Sequence, residues 1–414
     1  MFIPLDTGHI GVRFIYNITF INNMVKRTYK FRLYPSKKQI IVLNEMLDTC
    51  RLVYNKQLEN KIIWYQDKGQ NLSYINLNSM LLDLRVIYPK MRKVHSQVLQ
   101  DINNRITKAF DNFFRRVMQG EKAGFPRFKG KNRYNSITYP QFGYKFTSQK
   151  KLKVFKIGEL PIRIHRAIKG VIKTMNIQKT LSGKWFACFS CDDVPIHIDT
   201  PPYKAVGLDV GLNSFLTDSD GNKVDNPRFL TKSERLLKLR CRQHSKKNKG
   251  SVNREKSRLR LARLYEKVAN QRSDFLHKLS LSISKSYSFI AVEDLDIKNM
   301  VKNHYLAKSI NDVAWNKFVQ YLTYKAENAG GKVCFVPAKN TSVKCSSCGA
   351  MVHKSLSVRT HKCPHCGFVI DRDHNSALNI LYSSPEIPKE LRESTPVEMM
   401  GCHRLLKQES LCVS

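Results

Sequence analysis

Three acidic residues, far apart in the chain, each stand where phosphodiester chemistry would use one. Asp209 ends the apolar run Ala205-Val206-Gly207-Leu208, Glu293 ends Phe289-Ile290-Ala291-Val292, and Asp373 lies in Asp371-Arg372-Asp373-His374-Asn375-Ser376-Ala377-Leu378-Asn379. The first two runs have the length and composition of buried strands, and the third opens a helix. A lone carboxylate at the end of an apolar strand is costly to desolvate unless something neutralises it. Three of them brought together would repel one another unless a divalent cation held them, which is the logic of a two-metal phosphodiester site.

A second constellation is made of sulfur. Cys345-x-x-Cys348 and Cys363-x-x-Cys366, with 14 residues between the pairs, have the spacing of a tetrahedral zinc site. Gly349 and Gly367 follow the pairs, as a zinc knuckle requires. Disulfides suit secreted chains and fit poorly here. Four thiolates complete a zinc shell, so His361 and His365 are expected at the surface or facing nucleic acid. Cys188-x-x-Cys191 is expected to be a decoy: it lies in a strand, where positions i and i+3 point to opposite faces.

These groups need elements to position them. Val25–Leu33 alternates as a strand with one basic face, and Ser36 is placed to cap the helix that follows. From Lys37 to about Phe114 apolar residues recur at three and four, interrupted at Gly69-Gln70-Asn71, and a helix ends near Met118. Strands are expected at Leu152–Ile157, Leu160–Ile164, Gly170–Met175 and Lys184–Cys191, which with the first strand suggest a small barrel. Strand 205–208 has a hairpin partner in Ser214–Thr217, and Asp218-Ser219-Asp220-Gly221 supplies a turn. Asn226 to about Ser286 is helical with a break at 246–250. Leu306–Asn328 is expected to be helical, Lys332–Val336 to be a strand, and residues from Ser383 on to be weakly ordered.

The fold class implied is a multidomain α+β protein. The N-terminal small β-barrel (24–35 and 124–200) carries an inserted helical lobe (36–123). A ribonuclease-H-like α/β core follows (201–340 and 370–382, with 226–286 its basic helical part). A four-cysteine zinc ribbon (341–369) is inserted in that core, and 383–414 form a flexible tail. Residues 1–23 have no small-residue cleavage site and make a poor signal peptide, so a non-essential extension is expected there.

Charge narrows the partner. Lys+Arg number 71 against 33 Asp+Glu, a net +38, with a pI near 9.9. Such an excess calls for a polyanion, most naturally nucleic acid. No apolar run approaches the roughly 20 residues of a membrane span. The helical stretch after 226 sets Arg254, Lys256, Arg258, Arg260, Arg263 and Lys267 opposite its apolar stripe, and phosphate contact is expected of them.

Taken in order, the boxes Lys30-Phe31-Arg32-Leu33-Tyr34-Pro35, Gly124-Phe125-Pro126-Arg127-Phe128, Gly207-Leu208-Asp209-Val210-Gly211, Gln271-Arg272-Ser273-Asp274-Phe275-Leu276-His277-Lys278, Val292-Glu293-Asp294-Leu295, Thr341-Ser342-x-x-Cys345-x-x-Cys348-Gly349 and Asp371-Arg372-Asp373-x-Asn375-x-Ala377 resemble the TnpB (OrfB) family. This is the transposon-encoded RNA-guided nuclease family related to type V CRISPR effectors, and the resemblance spans about 25–382. It implies a RuvC-like Mg²⁺-dependent endonuclease that takes a guide RNA from the transposon end, pairs it with double-stranded DNA beside a short target-adjacent motif, and cuts both strands in turn at one site. Asp209, Glu293 and Asp373 would hold two Mg²⁺ ions, and the four cysteines a structural Zn²⁺. The family's shared acid directly precedes x-Asn-x-Ala, which selects Asp373 over Asp371. Asp371, Asp294 and Asp296 are then caps or solvated groups. The family pattern usually has Ala where Ser376 stands. Tyr74 and Gln100 fall where the family contacts the target-adjacent duplex. A monomer with its RNA in the prokaryotic cytoplasm, beside the nucleoid, is the setting implied. The rival readings are a nuclease-silent RNA-guided repressor, a DNA transposase, and a plain zinc-dependent DNA-binding module, which would leave the strand-end acids without a purpose.

Overall fold

The computed structural model describes residues 24–195, 200–355 and 357–388. The expected extension at 1–23, and the tail beyond 388, lie outside the described residues. These divide into two compact units, with the boundary after residue 195; the short turn 181–183 groups with the second.

The first unit begins with β1 (Met24–Leu33) and three helices, α1 (Lys37–Lys68), α2 (Tyr74–Ile87) and α3 (Ser96–Met118). Ser36 caps α1 as expected: its hydroxyl accepts from the Gln39 N–H while the Gln39 side chain accepts from the Ser36 N–H. Six strands follow: β2 (Ser136–Tyr139), β3 (Tyr144–Ser148), β4 (Lys151–Val154), β5 (Gly158–Arg163), β6 (Val171–Lys179) and β7 (Trp185–Pro195). They join β1 in one antiparallel sheet of order β2-β6-β7-β1-β5-β4-β3. Period-two alternation builds its core, with Tyr29, Phe31 and Leu33 of β1 and Trp185, Ala187, Phe189 and Cys191 of β7 all buried. The expected barrel is nearly closed. Its edge strands share no ladder among the described residues, but the rings of Tyr139 and Tyr144 stand 6.4 Å apart across the gap. Cys191 points inward and is buried while Cys188 is half-exposed, as the strand reading of that pair requires.

The second unit is built on a five-stranded sheet. Its elements are β8 (Ala205–Val210), β9 (Ser214–Asp218), β10 (Lys223–Asp225), α4 (Phe229–Ser245), α5 (Val252–Ser286), β11 (Phe289–Asp294), α6 (Ile297–Met300), α7 (His304–Val313), α8 (Trp315–Asn328), β12 (Lys332–Pro337), β13 (Thr360–Lys362), β14 (Val369–Asp371) and α9 (Arg372–Tyr382). The order is β10-β9-β8-β11-β12, with β8, β11 and β12 mutually parallel and the β8-β9-β10 meander antiparallel. Strands buried on both faces explain why β8 and β11 read as unbroken apolar runs. Val206, Leu208, Ile290 and Val292 join one core with Leu276, Ile283, Phe318 and Leu322 of α5 and α8. Ala205, Phe289, Ala291, Cys334 and Val336 face the other way, against Ile380 and Leu381 of α9.

Two expectations are corrected. The helix over 306–328 is two helices, because Ala314 adopts the left-handed conformation (φ 58°) and the chain restarts at the buried Trp315. The chain just past 383 is not loose: Ser384 and Ile387 are buried, Ile387 against the α9 face of the sheet, and Glu386 pairs with Lys332 at 2.7 Å.

Candidate metal centres at one end of the sheet

Strand register brings the first two acids together. Leu208 lies opposite Val292 in the parallel ladder, so Asp209 and Glu293, the next residue on each strand, share one face at its carboxyl end. That face carries Gly207 and Ala291, over which α9 lies. A Cβ on Gly207 would stand 2.1 Å from the Ala377 carbonyl oxygen, so only glycine admits the helix backbone there. Asp373 is one turn before Ala377 on the same helical face, which aims it at Asp209.

The electrostatics record the convergence. Burial pushes the Asp209 carboxyl well above the usual carboxylate range, and the charges of Glu293 and then Asp373 push it further. The Ser376 hydroxyl, bonding to it, pulls the other way. Burial also raises Glu293, opposed by the Thr341 hydroxyl, which donates to its Oε1. Asp373 Oδ1 accepts from Arg359 Nη1 at 3.2 Å. Among the described residues, the four cysteines are the group whose ligand atoms all come within 4.8 Å of one another. The three carboxylates are less tightly gathered than the sulfurs. Hard oxygen donors whose charges oppose one another fit Mg²⁺ in character.

Nearly every residue of α9's first turns has an assignment. Asp371 caps the helix, accepting from the N–H groups of Asp373 and His374 at 3.0 and 3.1 Å. Burial would raise Asp371, but Lys223 at 2.7 Å and these N–H groups hold it below the usual range. His374 Nε2 donates to the Ser219 carbonyl at 3.0 Å, tying the helix to the β9–β10 turn. The Asn375 amide donates to the Lys344 carbonyl at 2.8 Å and accepts from the Ser346 N–H at 2.9 Å. One turn on, the Asn379 amide donates to the carbonyls of Thr341 and Lys344. Sequence reasoning quoted Thr341, Asn375 and Ser376 within boxes but gave them no role; polar residues at i and i+4 on a helix otherwise packed on a core were the available signal. Asp296 caps α6 through the Asn299 N–H, and Asp294 is exposed.

Those asparagines hold the cysteine cluster. The Sγ pairs Cys345–Cys366 and Cys348–Cys363 are 3.8 and 3.6 Å apart, and a tetrahedron with metal–sulfur bonds of about 2.3 Å has edges of about 3.8 Å. The Gly349 and Gly367 N–H groups close matching turns onto the carbonyls of Cys345 and Cys363. Without a metal the thiols share their protons unevenly: burial would raise Cys363, but the N–H groups of Cys366 and His365 and the neighbouring thiols lower it to about 6, while burial raises Cys345, and Cys348 is pushed up to about 12. The donor set fits Zn²⁺. His361, expected at the surface, is instead fully buried with its Nδ1 bonded to the Lys354 ammonium; His365 is exposed.

The expected nucleic-acid residues divide. On α5, Lys256, Arg260, Arg263 and Lys267 recur at i, i+4, i+7 and i+11 and are exposed along one face. Arg254 and Arg258 turn elsewhere: Arg254 donates to the Lys247 carbonyl at 2.6 Å, and Arg258 grips Glu255 at 2.8 and 2.6 Å. Exposed Tyr74 begins α2, and exposed Gln100 lies on α3, both in the first unit. No helix among the described residues is long and apolar enough to cross a membrane.

The chain is similar to known proteins. Residues 189–304 match the family described as OrfB_IS605, probable transposase, residues 315–380 the Cas12f1-like TNB domain, and residues 24–70 a helix-turn-helix domain of OrfB_IS605, which here is a strand followed by one long helix. A Streptomyces pristinaespiralis protein named "Putative RNA-guided DNA endonuclease" is 33% identical over 86% of this chain and 89% of its own. A protein of Escherichia coli K12 named "Putative RNA-guided DNA endonuclease InsQ" is 30% identical over 92% and 97%. The fold resembles that in a cryo-EM structure of a Cas12f1–sgRNA–target DNA complex, with a TM-score of 0.54 and 15% identity, covering 88% of this chain and 100% of that one.

Proposed function

Because the chain belongs to the OrfB (TnpB) family of IS605-type elements, we propose that it is an RNA-guided DNA endonuclease whose cutting site is the carboxylate cluster of Asp209, Glu293 and Asp373. The observation that carries this reading is the strand register that sets Asp209 and Glu293 side by side at the end of paired strands, with the Asp209 carboxyl raised by burial first and then by the charges of Glu293 and Asp373. The names borne by the two relatives, and the pairing of the Cas12f1 fold with RNA and target DNA, support the guide and the substrate. The sheet order, with three parallel strands flanked by an antiparallel meander and a terminal helix delivering the third acid, supports a ribonuclease-H-like, RuvC-type core. Apart from the start of the tail at 383, the boundaries expected from the sequence remain our domain assignment, with 341–369 as the zinc ribbon.

Two Mg²⁺ ions held by these acids would supply polarisation of the scissile phosphate and of the attacking water. The chain supplies the rest. Asp209 and Glu293 are fixed by strand register and by hydroxyl bonds from Ser376 and Thr341, so their oxygens need little reordering on loading. Asp373 is aimed by the α9 cap at Asp371. Arg359 bonds Asp373 Oδ1, one of the two oxygens of that carboxylate. The exposed cations of α5 would grip phosphates without reading sequence. We assign Tyr74 and Gln100 to the duplex beside the target, and a transposon-derived RNA bound to one protein monomer as the working complex.

The test is cleavage. The protein purified with its RNA should cut a duplex complementary to that RNA in Mg²⁺, and Asp209→Ala, Glu293→Ala or Asp373→Ala should abolish cutting while RNA stays bound. Full cleavage by any of the three would refute the site.

A further inference from the structure

A polar cavity of about 250 Å³ is lined by Leu212, Asn213, Asn226, Arg228, Ser309 and Asp312, among others. It is attached to the cutting site by a short chain of contacts. Asn213 follows Asp209 by four residues in the turn between β8 and β9. With its amide oriented to satisfy its surroundings, the Asn213 oxygen accepts from Arg359, the same side chain that donates to Asp373.

Arg228 gives this cavity its character. It is a non-glycine residue in the left-handed conformation (φ 50°, ψ 48°), which an L side chain enters at a cost. Two neighbours hold it there. The Arg228 N–H donates to the Asn226 Oδ1 at 3.1 Å, and the Asn226 amide donates to the Leu212 carbonyl at 2.8 Å, clipping Asn226-Pro227-Arg228 onto the loop that follows Asp209. The guanidinium has no carboxylate partner among the described residues. The acid in the same cavity, Asp312, is already taken: Arg272 pairs with it, and the Leu230 N–H donates to it. That carboxylate would otherwise repel an anion, and the α4 N-terminus is likewise occupied by it. What remains is a strained, unpaired cation over a polar hollow, which Asn213 and Arg359 link to Asp373.

Resting on the endonuclease reading, we propose that Arg228 is a substrate-binding residue that seats a phosphate of the DNA strand being cut, next to the scissile one, with Asn213 lining the same seat. The guanidinium offers two parallel N–H donors to a phosphate's two oxygens. Glycine prefers the Arg228 backbone conformation, so Arg228→Gly removes the side chain without straining the fold, and its melting temperature should not fall.

The experiment replaces the phosphates around the cut one at a time by uncharged methylphosphonates, in a duplex complementary to the RNA that copurifies with the protein. The effect is read as cleavage by the parental complex and as affinity in the Asp209→Asn background, which needs no cleavage. We expect one position at which neutralisation costs the parent about tenfold in both readings, with that loss absent in Arg228→Gly and kept in Arg228→Lys. An interference pattern that Arg228→Gly shares with the parent would overturn the assignment, and so would an Arg228→Gly protein as active as the parent. A parental complex that binds but never cuts would overturn the endonuclease reading alone, because the affinity arm still reports on Arg228.

Discussion

Gly207 and Ala377 touch backbone to backbone: a Cβ on Gly207 would fall 2.1 Å from the Ala377 carbonyl oxygen and 2.8 Å from the Leu381 nitrogen. This contact sets the distance between β8 and α9, and hence between Asp209 and the two α9 residues that act on it, Ser376 and Asp373. Gly207→Ala must push the helix off the strand. We expect a stability loss of about 1–3 kcal/mol, the usual range for overpacking, and a larger loss of cleavage than of stability, because the acids separate. A variant that melts normally and cuts normally would show that α9 can yield without moving Asp373.

Asp209 should behave as a metal-dependent liability. Its folded carboxyl is raised above the ordinary 3.8 by burial first, then by Glu293 and Asp373. The native state therefore holds this proton more tightly than the unfolded chain. Its contribution to stability is fully present below the unfolded pKa and is lost as pH rises through the native one. In metal-free protein, Asp209→Asn should melt above the parent at neutral pH, with the gap narrowing on acidification. Mg²⁺ should raise the parental melting temperature at neutral pH and leave the variant nearly unmoved. Calorimetry across pH with and without Mg²⁺ checks both signs; a parent that melts above Asp209→Asn without metal would contradict them.

The asparagines of α9 should couple the zinc knuckle to the cutting site. Asn375 and Asn379 both donate to the Lys344 carbonyl, so neither alone orphans it. Asn379 also holds the Thr341 carbonyl, on the residue whose hydroxyl serves Glu293. Single alanine variants should each lose about 1–3 kcal/mol, the cost of leaving buried polar groups unpaired. The double variant should lose more than the sum. Additive losses in denaturant titrations would mean that the two amides act independently.

Zinc should be stoichiometric, one per chain, and Cys345→Ser should release it. The four sulfurs have no other partner of comparable strength, and folding free energy is drawn from such sites. Loss of the ion should lower the melting temperature and expose residues 341–381 to proteolysis, with Lys344 and Thr341 freed from α9. Elemental analysis showing unchanged zinc in Cys345→Ser would discard the ligand set.

Legibility followed periodicity and charge. β8 and β11 could be read because both faces are buried and the apolar run stops at an acid; the α9 face could not, because its determinant is an absent side chain at Gly207. The cysteine spacing announced a knuckle, but nothing in it tells that His361 turns inward onto Lys354. The break at Ala314 was hidden because alanine is the best helix former, and only the need to bury Trp315 explains a left-handed residue there. A basic run reads as one stripe in a sequence. The 3.6-residue period splits it, sending Arg254 and Arg258 to intramolecular partners and leaving Lys256, Arg260, Arg263 and Lys267 exposed.

Ser376 is the departure from the family pattern with the sharpest consequence. It is buried and its hydroxyl bonds to Asp209, lowering a carboxyl that burial and two neighbouring acids raise. Ser376→Ala removes that bond, so the Asp209 carboxyl must climb further and hold its proton to higher pH. A protonated Asp209 is a poor cation ligand, so the acidic limb of the cleavage profile should move to higher pH. The rate near neutrality should fall while the rate on the alkaline plateau stays close to the parent's. The Mg²⁺ concentration for half-maximal cleavage should rise in the same pH range and converge with the parent's above it. A pH–rate profile unchanged by Ser376→Ala, measured at saturating and at limiting Mg²⁺, would show that the hydroxyl leaves Asp209 untouched.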